Sequence, residues 1–141
     1  MRPRTVEELM NLLRPGRGTR DDRGRVPVDA HEHALRTAAL LRRGRPADKE
    51  LQVAGLVMPL GGPTGSGDRA ADAVRELLGA RVAGLVRGRP RHDLPAGDDL
   101  LALRTAAEEA RTACFDAGVL EDWRTVLELL AARNSRLRMV D

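Results

Sequence analysis

Signals for helix starts and stops divide this chain into short segments, and no segment shows the alternating β-branched pattern of a strand. Thr5 and Glu8 form a capping box before the apolar run VEELMNLL, which Pro15 and Gly16 end. Aspartates at positions 29, 48, 68 and 98 or 99 precede later apolar runs in the same way. The predicted helices cover residues 6–14, 30–43, 49–58, 69–78, 80–87, 98–117 and 121–133. The sequence therefore predicts an all-α fold of six or seven helices.

The core of such a fold has to be built from small aliphatic side chains. Phe115 and Trp123 are the only aromatic residues among 141, whereas apolar residues make up 42% of the chain. Leu, Val and Ala at helical spacing favour the packing of helix on helix over a sheet sandwich. A chain of this length can bury one sizeable core, so we expect a single domain over residues 1–141.

The charge balance argues against a nucleic-acid partner. The chain has 24 basic and 21 acidic residues, and a net charge of +3 attracts polyanions only weakly. The tetrapeptide RGRP occurs at residues 43–46 and 87–90 and resembles the core of AT-hook minor-groove binders. Both copies lie at predicted helix ends in an arginine-rich chain, so DNA binding through these loops ranks as the third functional alternative.

The cysteine count and the hydropathy of the chain limit which sites and which cellular location we expect. A single cysteine, Cys114, excludes an internal disulfide and a cysteine-based zinc cluster. No apolar stretch approaches the roughly 18 residues of a membrane span, and the start MRPRTVEEL has no signal-peptide apolar core. We expect a cytoplasmic protein without membrane contact.

The glycine-rich stretch GGPTGSGD at residues 61–68 raises the question of a phosphate-binding loop. A P-loop follows a strand and carries a lysine that reaches the phosphates. A predicted helix precedes this stretch, no lysine follows it, and Asp68 places negative charge where an anion would bind. The pattern indicates a connecting loop.

The sequence HEH at positions 31–33 raises the question of a metal site. Residues i and i+2 on a helix point about 200° apart, so His31 and His33 do not readily bind one metal ion. A single histidine on a helix is more often a packed or surface residue than a ligand.

Two segments, TVEELMNLL and HEHALRTAALLRRGRPADKELQVAGLV, resemble the HD-domain superfamily. The resemblance is closest to the branch of phosphonate-cleaving di-iron oxygenases that also includes myo-inositol oxygenase. It covers residues 5–57 and continues more weakly through GARVAGLV and LRTAAEEAR. The resemblance implies an HD-like helical domain, in which such enzymes bind metal through His and Asp from several helices.

Most of the ligand positions that the resemblance implies carry other residues. The first histidine falls on His33, but the His-Asp pair that names the superfamily falls on Met58 and Pro59. The next ligand region, residues 68–72, contains no histidine, and the final aspartate position falls near Ala107 or Glu108. Met and Pro offer no hard donor to iron, manganese or magnesium. We therefore expect a dismantled metal site, with no metal and no cofactor.

Two classes of function follow from this pattern. The first is a metal-free HD-like pseudo-enzyme that acts as a binding, regulatory or accessory module in a metabolic or natural-product pathway. The second is a metal-independent enzyme in which His33 acts as general acid and base on a small anionic substrate held by arginine. Either class leaves open a small-molecule ligand, a partner protein or a homodimer. The candidate catalytic residues are His33, Asp29, Glu32 and Glu108, and the candidate ligand-binding residues are Arg36, Arg104 and Met58.

Overall fold

A computed structural model describes residues 4–13, 28–58, 67–87, 98–113 and 115–140, and every regular element in them is helical. The all-α prediction is therefore confirmed. The seven α-helices are α1 (Val6–Leu13), α2 (Val28–Gly44), α3 (Lys49–Val57), α4 (Gly67–Leu78), α5 (Ala80–Arg87), α6 (Asp98–Thr112) and α7 (Arg124–Val140). A 3₁₀ turn at Leu120–Trp123 leads into α7.

Two of the predicted helix caps form in the structure. The Glu8 amide donates to the Thr5 hydroxyl at 3.1 Å, and the Glu8 carboxylate accepts from the amide of Arg4 rather than of Thr5. Asp48 accepts from the Leu51 amide at 3.1 Å and caps α3. Local sequence signals thus fix the start of α1 and of α3.

The predicted starts of α2 and α4 were wrong. Helix α2 begins at Val28 and α4 at Gly67, so Asp29 and Asp68 lie inside the first turn and not at the cap. An aspartate in the first turn is favoured by the helix dipole as well as at the cap, so the same residue type fits both positions. The side chains of Asp29 and Asp68 lie outside the described residues.

The prediction also misplaced the last two helices. Helix α6 ends at Thr112 and not at residue 117, and α7 runs on to Val140 rather than ending near residue 133. Residues 115–119 take a non-helical path instead, which ends in the 3₁₀ turn. This path forms one wall of the cleft described below.

Helix α3 lies at the centre of the fold. It packs against α2, α5, α6 and α7, and all seven residues 51–57 are buried. The remaining contacts join α4 to α5, α2 to α6, and α7 to both α1 and α4. The one polar side chain in this buried run, Gln52, donates to the Arg45 carbonyl at 2.7 Å, so its amide is satisfied within the core.

Trp123 supplies the largest side chain of the core. It is fully buried, and the guanidinium carbon of Arg42 lies 4.4 Å from the centroid of its ring. This distance is within the range of a cation–π contact. Leucine, valine and alanine make up most of the other buried side chains, as the composition predicted.

The approach of α3 to α2 depends on Gly55. A Cβ atom at this position would lie 3.0 Å from Thr37 Cγ2 and 3.0 Å from Leu41 Cδ1. Thr37 has little freedom to move away, because its buried hydroxyl donates to the His33 carbonyl at 2.8 Å. A larger residue at this position would require Thr37 and Leu41 to move.

Among the described residues, no helix is both long enough and apolar enough to cross a membrane.

We predict that Gly55→Ala lowers the free energy of unfolding by about 1–3 kcal/mol, because the added methyl group overpacks the α2–α3 contact. Gly84→Ala is the matched control. Gly84 lies on the exposed side of α5, and a methyl group added there would have no atom within 4 Å, so alanine should stabilise the helix by about 0.5–1 kcal/mol. Urea unfolding of both variants measures the difference, and equal effects would contradict the close approach.

Candidate functional site

His33, the leading catalytic candidate, holds two helices together. Its ring is half-buried, and Nε2 lies 2.8 Å from the carbonyl oxygen of Ala107 on α6. A carbonyl oxygen can only accept, so Nε2 carries the proton and donates it. That nitrogen therefore has no lone pair for a metal ion or for a substrate proton. Its hydrogen bond is to a backbone group and not to either suggested helper whose side chain is described, Glu32 or Glu108.

Two more polar side chains of α2 donate to helix carbonyls. Arg36 Nε donates to the Ala110 carbonyl at 3.3 Å, and His31 Nδ1 lies 3.0 Å from the carbonyl oxygen of Leu13. Leu13 is the last residue of α1, and Ala110 lies in the last turn of α6. Carbonyls at these positions have no donor within their own helix. His31 and Arg36 thus cap the ends of other helices, whereas His33 bonds to a carbonyl inside α6. The sequence pattern alone does not reveal either role.

The remaining candidate residues lie in different places. Glu108 and Arg104 are exposed together on α6, in an open depression of about 640 Å³. Met58 follows α3 and is 39% exposed. Glu32 and Arg36 do lie together, one turn apart on α2, in a smaller and more enclosed cleft of about 190 Å³. The predicted constellation is therefore divided between two places, with Glu32 and Arg36 in the cleft and Arg104 and Glu108 in the open depression.

The opposite wall of this cleft is the segment from Phe115 to Gly118. Its turn is fixed by Gly118, whose φ of 84° lies in the left-handed region, and by Asp116 Oδ1, which accepts from the Gly118 amide at 2.9 Å. The guanidinium carbon of Arg43 lies 5.4 Å from the centroid of the Phe115 ring. Sequence reasoning placed these residues in α6 or at its end and so missed them as part of a site.

The charges of the cleft are not paired with each other. Glu32 and Arg36 have the i, i+4 spacing at which a helical ion pair commonly forms. Within the described part of the chain, Arg36 makes no ion pair, and its one hydrogen bond is to the Ala110 carbonyl. Leu35 and Phe115 supply apolar surface between the charged groups. The cleft thus combines a half-buried guanidinium with two carboxylates, those of Glu32 and Asp116.

No described group of three or more His, Cys, Asp or Glu side chains is arranged to hold a metal ion.

The first RGRP tetrapeptide is not an extended basic segment. Arg43 lies over Phe115, and Arg45 donates to Asp99 at 2.8 Å. In the second tetrapeptide, Arg87 lies 4.0 Å from Asp72, and residues 88–90 lie outside the described part of the chain. Contacts within the chain therefore occupy the described arginines that this motif would present to a minor groove.

Sequence reasoning also missed an ionic cluster around Arg81 at the start of α5. Arg81 donates to both oxygens of Asp48, at 2.8 and 2.9 Å, and also to Glu50 and Asp99. Asp99 in turn accepts from Arg45. The cluster therefore joins the starts of α3, α5 and α6 to the residue that follows α2. No local pattern links these positions, although Asp48 was predicted as a cap.

The cluster shifts the ionisation of its members. The hydrogen bonds from Arg81 hold the pKa of Asp48 below its usual value of 3.8, with a further contribution from the Leu51 amide. The same carboxylates raise the pKa of Arg81 above its usual value. These side chains are 22–39% exposed, so solvent screens the pairs and each contributes modestly.

Comparison with known proteins adds no relative: no protein-family model, curated protein or solved structure matches this chain. Membership of the HD-domain superfamily stays a prediction from the sequence.

We predict that Asp48→Asn removes part of the acid sensitivity of folding. Because the pKa of Asp48 is lowered in the folded protein, the unfolded chain takes up the proton first as the pH falls. The stabilisation is complete well above pH 3.8 and is lost as the pH falls through the folded pKa. Asparagine keeps the cap acceptor and loses only the charge.

Urea unfolding at neutral pH and near pH 3 tests this, because the stability gap between wild type and Asp48→Asn should shrink at the lower pH. The control is Asp72→Asn, whose carboxylate is 61% exposed and 4.0 Å from Arg87. The difference in free energy of unfolding between Asp72→Asn and wild type should stay near zero at both pH values. A gap for Asp48→Asn that is the same at both pH values would contradict the charge effect.

We also predict that His33→Ala lowers the free energy of unfolding by about 1–3 kcal/mol, because the α2–α6 hydrogen bond is lost. His33→Gln, whose amide can donate to the same carbonyl, should recover part of this loss. Glu32→Ala is the neighbouring control and should change stability by less than about 0.5 kcal/mol. Chemical unfolding measures all three, and a fully stable His33→Ala variant would refute the tie between α2 and α6.

Proposed function

We propose that this chain is a noncatalytic binding domain whose ligand site is the cleft between α2 and residues 115–118. The observation that supports the proposal most directly is the hydrogen bond from His33 Nε2 to the Ala107 carbonyl. The side chain best suited to proton transfer near neutral pH is used to hold the fold. Its neighbour Arg36 faces a cleft instead.

The charges of the cleft favour a small zwitterion. The Arg36 guanidinium has no carboxylate partner among the described residues, and its Nε–H is held by Ala110, which orients the group before a ligand arrives. A ligand carboxylate or phosphate would bind there in two-point fashion. Glu32 and Asp116 line the same cleft and favour a cationic group at the other end of the ligand.

The size of the cleft limits the ligand. A volume of about 190 Å³ lies below the range of roughly 300–1,000 Å³ that is typical of sites for drug-sized molecules. A molecule the size of a single amino acid is the class that this space and these charges suit. A role as an accessory or regulatory module of a metabolic or natural-product pathway agrees with such a ligand.

The metal-independent enzyme remains the second class, but no contact among the described residues favours it. General acid–base work by His33 needs a free nitrogen within hydrogen-bond reach of substrate. The cleft is lined by Glu32 and Arg36 and not by His33. Glu108, its other suggested helper, lies in the open depression on α6.

Titration of the ¹⁵N-labelled protein with glycine, β-alanine and 4-aminobutyrate tests the proposal by NMR. We expect at least one of these zwitterions to shift the amides of Ala117 and Gly118 more than acetate or methylammonium does. Arg36→Gln keeps a donor for the Ala110 carbonyl but loses the charge, so it should weaken binding on the order of tenfold or more.

The matched control is Arg133→Gln, which removes an exposed arginine of α7 outside the cleft and should leave the titration unchanged. The proposal is overturned if none of the three zwitterions shifts these amides, or if folded Arg36→Gln protein responds as wild type does.

A further inference from the structure

The cleft between α2 and residues 115–118 carries more negative than positive charge. It is lined by two carboxylates, those of Glu32 and Asp116, and by a single guanidinium, that of Arg36. All three groups are ionised at neutral pH, so the cleft has one net negative charge. The other lining residues have no charged side chain; they are Leu35, Phe115, Ala117 and Gly118.

None of these three charges is neutralised by another described residue. Arg36 makes its one hydrogen bond in this part of the chain to the Ala110 carbonyl, which has no charge. Asp116 Oδ1 accepts from the Gly118 amide at 2.9 Å, so the carboxylate is held in place and keeps its charge. Glu32 makes no ion pair or hydrogen bond within the described residues, although Arg36 lies one turn away on α2. A ligand in the cleft therefore meets all three charges.

The neighbouring basic side chain of Arg43 contacts the Phe115 ring and not a carboxylate of the cleft. Its guanidinium carbon lies 5.4 Å from the ring centroid, and it does not line the cleft. Arg43 is exposed, so solvent screens its charge. His33 does not line the cleft either, because its Nε2 donates to the Ala107 carbonyl of α6. The excess negative charge is thus left for the ligand to match.

A neutral zwitterion matches only part of this charge. Its acid group pairs with Arg36 and its single cationic group with one carboxylate, so the other carboxylate has no counter-charge. A diamino acid supplies the missing group, because it has one carboxylate and two ammonium groups. It also keeps the size of a single amino acid, which the cleft volume of about 190 Å³ requires. Leu35 and Phe115 offer apolar surface to its methylene chain, and the aromatic ring attracts a cation as well.

We propose that the ligand of the cleft is a short diamino acid whose carboxylate binds to Arg36 and whose two ammonium groups bind to Glu32 and Asp116. The assignment of this ligand class rests on the proposed binding function of the cleft. At neutral pH a diamino acid has one net positive charge, opposite in sign to the net charge of the cleft. Each charged group of the ligand then has one partner of opposite charge, which favours this class over neutral amino acids.

Amino acids of equal chain length test the second ammonium group. L-ornithine differs from L-norvaline only by that group, as does L-2,4-diaminobutyrate from L-2-aminobutyrate. In NMR titrations followed at the amides of Ala117 and Gly118, at least one diamino acid should have a Kd about fivefold below that of its neutral counterpart, the size expected of one solvent-screened ion pair. This preference should shrink in about 500 mM salt. Putrescine, which lacks the carboxylate, should bind more weakly than ornithine, because Arg36 then has no acid group to bind.

Removal of one carboxylate at a time tests the partners of the two ammonium groups. Glu32→Gln and Asp116→Asn should each reduce the preference for the diamino acid to less than about twofold, while neutral amino acids still bind. Asparagine keeps an oxygen that can accept from the Gly118 amide. Glu128→Gln removes an exposed carboxylate of α7 outside the cleft, so it is the matched control and should keep the full preference.

The assignment is overturned if neither diamino acid binds better than its neutral counterpart, if putrescine binds as well as ornithine, or if both carboxylate variants keep the preference. It is also overturned if Glu128→Gln loses the preference, because the effect would then come from the net charge of the protein. Binding of the neutral amino acids without any preference leaves the proposed function of the cleft intact, whereas a lack of binding by every amino acid overturns both proposals.

Discussion

The constraint on which this fold depends is the complete burial of α3. A helix with no solvent-facing side between residues 51 and 57 has to be covered by neighbours all round, and α2, α5, α6 and α7 cover it. The close approach at Gly55 fixes the depth at which α2 lies on α3. The polar group inside this run, the Gln52 amide, is satisfied by the carbonyl of Arg45 just beyond α2. The burial of α3 therefore positions the middle of α2 through Gly55 and the end of α2 through Gln52.

Helix α2 lines both the cleft and an apolar groove against α6, so its position determines where these two features lie. His33 and Arg36 of α2 bond to carbonyls of α6 and hold these two helices together. Two surface features, a cleft and a groove, lie along α2. On one side lies the charged cleft at Glu32 and Arg36, and towards the end of α2 lies the apolar groove at Leu40 and Leu41. The first contains charged side chains that are not paired with each other, whereas the second is lined mostly by apolar side chains. The bonds from His33 and Arg36 hold α2 against α6, the two walls of the groove, and they also fix α2 as one wall of the cleft.

Local sequence signals predicted the helices of this fold. The roles of the site residues depend instead on hydrogen-bond partners that are distant in sequence. Helix breaks at Gly and Pro and the caps at Thr5 and Asp48 depend on neighbouring residues, so they could be found from the sequence. The acceptors of His33 and Arg36 are backbone carbonyls 74 residues away. A backbone carbonyl has no residue type that marks it, so a histidine that bonds to a carbonyl and a histidine that binds a metal look the same in sequence. The early end of α6 could not be predicted either, because no Gly or Pro lies between Thr112 and Gly118 to mark it.

The arginine-rich composition has a structural explanation once these contacts are known. A chain with two aromatic residues and one lysine has few large flat groups with which to close its core and its helix ends. A guanidinium is planar, stays charged and carries five donors, so it can stack on a ring or bridge several acceptors. Arg42 covers Trp123, and Arg124 links Glu7 of α1 to Glu121 of the 3₁₀ turn. Arg81 joins three helix starts. Among the described residues, Arg42, Arg81 and Arg124 thus act as internal connectors. Arg36 has no ionic partner in the same part of the chain, so its charge is available to the proposed ligand.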